Sequence, residues 1–358
     1  MIEGKNKAGA SWVQELDYLR GFAILAVIVI HTVANFTNFS APGKLAVANM
    51  FINLYAHFAV PLFIFISGFV LTFKYKQTYD IKQFYKKRAL TIIPQYLFFS
   101  FVYLLYFNRG NLPPLSDVLD KVLTARAAYH MWFFVLIIQL YILYPVLAKL
   151  YFHFEKKNQT GMLLAASWLL QVGFNVLNMF SGTALTNFFI THVFYFTLGM
   201  YVCRNYKTIG RRVETIRLQI LFPASLLLTA VETSAWLLDA SQHSRFVLSL
   251  LVAGGLITET ILFTLVFTML YRISFHVSKW RNIFSLLLKE FGRYSYGIFL
   301  MHVLFLEETA GFLWKLNIYC DEWIFFPLLF CCTAIFSILS VTLLGRVPYI
   351  RYLITGKM

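Results

Sequence analysis

Arg20 and His31 are the pair of side chains in this sequence whose types and spacing point most directly to chemistry. Eleven residues of helix advance about 16.5 Å and return within about 20° of three full turns, so the two lie on one face. Asp17, three residues before Arg20, shares that face and is placed to hold the guanidinium. A guanidinium recognises phosphate through a planar fork of donors. A neutral imidazole can take a proton from a hydroxyl near neutral pH. The chemistry that suits both is a phosphate-bearing donor held at Arg20 with its reactive end towards His31, where an acceptor hydroxyl approaches from the other side. The plainer reading is a snorkelling arginine and a packing histidine that hydrogen-bonds to a neighbouring helix.

The elements that must position these groups are membrane spans. Of 358 residues, 59% are hydrophobic and 13% charged, whereas a soluble domain carries about 25% charged residues. Apolar runs of roughly 20 residues, enough to cross the hydrocarbon core, place spans at 16–36, 47–73, 89–108, 130–152, 161–180, 184–203, 216–238, 246–271, 291–314 and 324–345. The expected fold is therefore an all-α integral membrane bundle of about ten transmembrane helices. Of the lysines and arginines, 24 fall in the tails and alternate loops, six in the opposite loops, and Arg20 within the first span. By the positive-inside rule both termini face the cytoplasm. Topology thus accounts for the net charge of +15, and no nucleic-acid partner is expected. The first span has no small-residue cleavage site and an arginine at its leading edge, unlike a cleaved signal peptide. The expected layout is a cytoplasmic tail over 1–15, one membrane domain over 16–346 and a cytoplasmic tail over 347–358.

Ionisable groups inside spans are costly, and each is a functional candidate. Glu259 and Glu232 lie in the eighth and seventh spans; either carboxylate can orient a base such as His31 or pair with a buried cation. His57 and His192 are weaker candidates, and His153, His243 and His276 fall at or beyond span ends. Ser295 and His302, seven residues apart, share a helix face. Ser67-Gly68 suits close backbone packing, or else leaves room for an acyl chain. Cys203, Cys320, Cys331 and Cys332 have no metal-ligand spacing, so they read as packing residues and no metal is expected.

Around these residues the sequence resembles the acyltransferase family 3 membrane proteins, which O-acylate cell-surface polysaccharides and other exported molecules. The family's arginine and histidine separated by ten residues are matched by Arg20 and His31 in LDYLRGFAILAVIVIH. Further similar stretches are VPLFIFISGF (Val60 to Phe69), YKKRALTIIPQY (Tyr85 to Tyr96), HMWFF (His130 to Phe134) and YSYGIFLMH (Tyr294 to His302). The resemblance runs from residue 16 to about 345. It implies an O-acyltransferase of the cell membrane that moves an acyl group, acetyl by default, from cytoplasmic acyl-CoA to a hydroxyl of a cell-surface glycan or glycolipid. His31 would be general base, Arg20 and Asp17 would serve the donor, and Glu259 would orient the base. Arg88 would bind donor phosphate. His130, Trp132, Ser295 and His302 would line the acceptor side. Acyl-CoA would be a co-substrate with no cofactor bound, and membrane lipid and polysaccharide-synthesis proteins would be partners. One departure concerns the donor: many members carry two arginines three apart before the proline, and here Arg88 is followed by Thr91. Lys86 and Lys87 are the available substitutes. The competing function is a glycan or glycolipid flippase, which needs intramembrane charges but no phosphate-binding cation paired with a base.

Overall fold

The computed structural model describes residues 7–39, 43–75, 79–181, 188–242, 245–280 and 282–356. Among them every regular element is helical, and nine helices are long and apolar enough to cross a membrane. The chain is a multi-pass, all-α membrane protein. His243 lies outside the described residues, as do residues 182–187 at the start of the expected sixth span.

Two compact units account for the chain. The first comprises Met1–Ile66 and Asn205–Val341. It begins with α1 (Lys7–Phe36), α2 (Lys44–Ala56) and the start of α3 (Ala59–Lys74). The second comprises Ser67–Arg204 and Thr342–Met358. It holds the rest of α3, then α4 (Ile81–Phe107), α5 (Leu115–Leu123), α6 (Trp132–Lys156), α7 (Thr160–Ser181), a 3-10 turn (Phe189–His192) and most of α8 (Val193–Thr215). The first unit resumes through α9 (Leu218–Gln242), α10 (Arg245–Val277), α11 (Ile283–Arg293), α12 (Ser295–Lys315) and α13 (Phe325–Leu344). A short α14 (Pro348–Thr355) belongs to the second.

Within the first unit, α1 is the hub and packs on α2, α10, α11 and α12. Val33 of α1, Leu306 and Leu313 of α12 and Phe325 and Leu329 of α13 form one buried cluster. Tyr18 of α1, Val277 of α10 and Leu288 of α11 form another. Two glycines bring α1 and α11 into backbone contact. A Cβ on Gly292 would sit 1.6 Å from the Asp17 carbonyl oxygen, and one on Gly21 would sit 2.3 Å from that of Leu288. In the second unit Gly68 does the same: its Cβ would fall 2.1 Å from the Phe196 carbonyl oxygen, as expected of Ser67-Gly68. There α4 packs on α5, α6 and α14, and α6 packs on α7.

Three departures from the expected spans have local causes. The second span is broken at His57-Phe58 between α2 and α3, because Pro61 has no N–H and clashes with the carbonyl four residues earlier. The third expected span is α4, which starts at Ile81 rather than 89. Asp80 caps it, its carboxylate accepting from the backbone N–H groups of Lys82 (2.8 Å) and Gln83 (3.2 Å), an ordinary N-cap. The sixth span becomes the 3-10 turn and α8, whose backbone bends at Asn205 ahead of Lys207, Arg211 and Arg212.

Candidate functional site

In the first unit, α1 carries both Arg20 and His31. The Arg20 guanidinium donates to Asp17 across 3.0 Å, and both side chains are partly exposed. Since Gly292 touches the backbone at Asp17, α11 fixes the end of α1 from which this pair projects. At the other end of the same face, the ring of His31 stacks on that of His302 from α12, with centroids 5.2 Å apart and planes at 29°.

His302 is fully buried, and its tautomer follows from its contacts. Its Nδ1 lies 2.8 Å from the Phe299 carbonyl oxygen and 3.2 Å from that of Ile298. A carbonyl only accepts, so Nδ1 carries the hydrogen, and a neutral ring then has its acceptor at Nε2. The first turns of α12 thereby set the tautomer of the ring stacked on His31. Ser295, at the start of the same helix, is buried too. His57, at the break between α2 and α3, lies within electrostatic reach of His31. Glu259 of α10 lies within electrostatic reach of Glu232 of α9, and the Thr258 hydroxyl donates to the Glu232 carboxylate. The ring stacked on His31 thus comes from His302.

In the second unit, Arg88 sits among aromatic rings. Its guanidinium carbon lies 5.8 Å from the Tyr75 ring centre, 5.9 Å from Phe84 and 5.6 Å from Tyr141, and Nη2 donates to the Tyr75 hydroxyl across 3.3 Å. Such rings hold a guanidinium through their negative faces without neutralising it. Burial raises the nearby phenol of Tyr79 to about 12, so it stays neutral at physiological pH. Lys74 lies within hydrogen-bonding reach of Lys87 and in the field of Arg88. No ion pair among the described residues engages any of these three cations. Three adjacent positive charges repel one another unless an anion joins them. The sequence pointed to Lys87 and Arg88; it did not point to Lys74, which arrives from the far end of α3. Arg272 was missed too: counted only as a topological charge, it has Nε and Nη1 buried with no partner among the described residues.

The acceptor candidates of the second unit separate. His130 is buried edge-on against Tyr103, with centroids 5.0 Å apart. Trp132 opens α6 and forms a wall of a cavity shared with His192.

Comparison with known proteins adds three findings. The acyltransferase-domain family matches residues 13–343, nearly the whole chain. An amino-acid racemase of Enterococcus faecalis is 32% identical over 122 residues, which cover 33% of this chain and only 16% of that protein. No solved structure matches.

Proposed function

Because this chain belongs to the acyltransferase-domain family, we propose that it is an O-acyltransferase of the cell membrane, moving an acyl group, acetyl by default, from acyl-CoA to a hydroxyl of a cell-surface glycan or glycolipid. The observation that carries this reading is the α1 face that bears an Asp17-held arginine at one end and a histidine stacked on a tautomer-defined histidine at the other.

In the proposed reaction the acceptor oxygen attacks the thioester carbonyl carbon while His31 takes the hydroxyl proton. The carbon–sulfur bond of the tetrahedral intermediate then breaks. The thiolate leaves with the proton from the imidazolium, giving an ester and free CoA. Arg20, steadied by Asp17, holds a donor phosphate, and His302 sets the orientation of the His31 ring. The Lys74, Lys87 and Arg88 cluster also suits a donor phosphate. Ser295 and His130 are proposed to line the acceptor side, and polysaccharide-synthesis proteins are the proposed partners.

Mass spectrometry of surface glycans from cells carrying wild type, a deletion and His31→Ala tests the reading. An acyl increment present only with wild type is expected. Unchanged acylation in the deletion strain, with glycan retained inside the cell, would replace the enzyme by a flippase.

A further inference from the structure

Pro94 lies inside α4, one and a half turns after Arg88. Proline has no N–H and its ring crowds the carbonyl four residues earlier, so the Leu90 carbonyl loses its donor within the helix. A helix interrupted in this way bends, and its two halves can take different directions. The half before the bend carries Lys87 and Arg88. Whatever holds the turn from 90 to 94 therefore also sets where those two cations stand.

In the second unit α14 grips that turn on both sides of the proline. The Tyr352 hydroxyl donates to the orphaned Leu90 carbonyl oxygen across 2.6 Å. Beyond the proline, Nε2 of the fully buried Gln95 donates to the Tyr352 backbone carbonyl oxygen across 3.0 Å. The same oxygen receives the Gly356 N–H at 2.8 Å. Each helix thus helps to satisfy the other: α14 supplies the donor that Pro94 removed, and α4 supplies a second donor to a carbonyl in the last turn of α14.

The crossing needs a glycine. Gly356 has a φ of 63°, and a Cβ there would fall 2.8 Å from the Thr91 carbonyl oxygen. The Thr91 hydroxyl in turn donates to the carbonyl oxygens of Lys87 (2.9 Å) and Arg88 (3.1 Å). A continuous chain of contacts runs from Tyr352 and Gly356 through Leu90 and Thr91 to two members of the cation cluster. Its effect differs from that of the other restraints on this helix. Tyr75, Phe84 and Tyr141 enclose the tip of the Arg88 side chain, and Asp80 caps the first turn. Those restraints act before the bend, whereas α14 has contacts on both sides of it.

We propose that α14 is a splint across the Pro94 bend and that Tyr352 is a positioning residue for Lys87 and Arg88. It acts through the α4 backbone and does not touch the donor. The consequence for the donor rests on the phosphate-binding reading of the cluster above; the splint itself does not.

The test uses the full-length protein in lipid nanodiscs, with coenzyme A as the binding probe. Hydrogen–deuterium exchange over 82–93 reports on the helix, calorimetry on CoA binding, and steady-state kinetics on donor KM, acceptor KM and kcat. Tyr352→Phe removes one hydroxyl. It is expected to speed exchange over that segment and to weaken CoA binding about two- to tenfold, the worth of one neutral hydrogen bond. Donor KM should rise alike, with kcat and acceptor KM unchanged, a split that lost stability alone would not produce. Gly356→Ala, which drives a methyl into the Thr91 carbonyl, should act in the same direction. Pro94→Ala returns an N–H to α4, so the Leu90 carbonyl finds its donor within the helix. Adding Tyr352→Phe to Pro94→Ala should then have no further effect. Unchanged exchange in Tyr352→Phe would overturn the splint, as would an equal loss of CoA binding from that substitution with and without Pro94. If Arg88→Ala weakens CoA binding and Tyr352→Phe leaves it unchanged, the positioning role falls. If CoA binding ignores Arg88→Ala as well, the phosphate-binding reading falls, and faster exchange in Tyr352→Phe still upholds the splint.

Discussion

The imidazole of His302 lies face to face with that of His31, 5.2 Å between centroids, while its own Nδ1 is held by the carbonyl oxygens of Phe299 and Ile298. A ring tied to the backbone in this way cannot turn freely, so it limits the orientations open to the ring stacked on it. Partners that fix the orientation and tautomer of a metal-bound histidine are worth about 10- to 100-fold in activity, and the same restraint on a histidine base sets the scale expected here. His302→Ala should therefore lower kcat by about that factor, with little change in donor or acceptor KM. His302→Gln should recover part of the loss, because its Oε1 accepts near the position of Nε2. Steady-state kinetics of both variants, with thermal melts in detergent, check this; a fall in melting temperature that tracks the lost activity would assign His302 to packing alone.

The cation cluster of Lys74, Lys87 and Arg88 predicts a donor-side effect. Each hydrogen bond from a charged group to a phosphate contributes about 1.5–3 kcal/mol, so Lys74→Ala should raise donor KM by about 10- to 100-fold and leave acceptor KM unchanged. Arg88→Lys should not restore Arg88→Ala, because an ammonium lacks the flat guanidinium that Tyr75, Phe84 and Tyr141 enclose. Donor KM measured at several ionic strengths checks both, since a phosphate contact weakens with added salt.

The close crossing of α1 and α11 predicts an uneven tolerance of glycines. Gly292→Ala would drive a methyl into the backbone at Asp17, and relief requires the two helices to part, at a cost of about 1–3 kcal/mol. Stability should fall, and donor KM should rise because the Asp17–Arg20 pair moves with α1. Gly173, on α7, has nothing within 4 Å of its would-be Cβ, so Gly173→Ala should melt at or slightly above the wild-type temperature. Melts of the two variants side by side provide the comparison.

Much of the architecture was legible because membrane spans are read from length and apolarity alone. The contact of Asp17 with Arg20 was legible because it is local, three residues along one helix. The break at His57 was written in Pro61, but a hydropathy window sees one apolar run from Lys44 to Lys74 and passes over it. Likewise the cap at Asp80 marks the start of α4, which hydropathy misses because the first two turns carry Lys82, Lys86 and Lys87. The stacking of His302 on His31 and the approach of Lys74 to Lys87 join distant segments, and no periodicity encodes such contacts. Family resemblance suggested the first by placing both histidines near the site; nothing suggested the second.

The remaining prediction concerns which group orients His31. A carboxylate such as Glu259 would do so by accepting from the imidazole N–H and stabilising the imidazolium as the proton arrives. Glu259 stands within electrostatic reach of Glu232, whose carboxylate receives the Thr258 hydroxyl. The ring in contact with His31 is that of His302. Glu259→Gln keeps the shape of the side chain and removes its charge, so it should cost less in kcat than His302→Ala, and the double variant should show the product of the two losses, as independent sites do. If Glu259→Gln alone costs as much as His302→Ala and the double variant costs no more, the three residues act as one unit. Glu259 then belongs to the base and is part of the reaction rather than of the packing between α9 and α10.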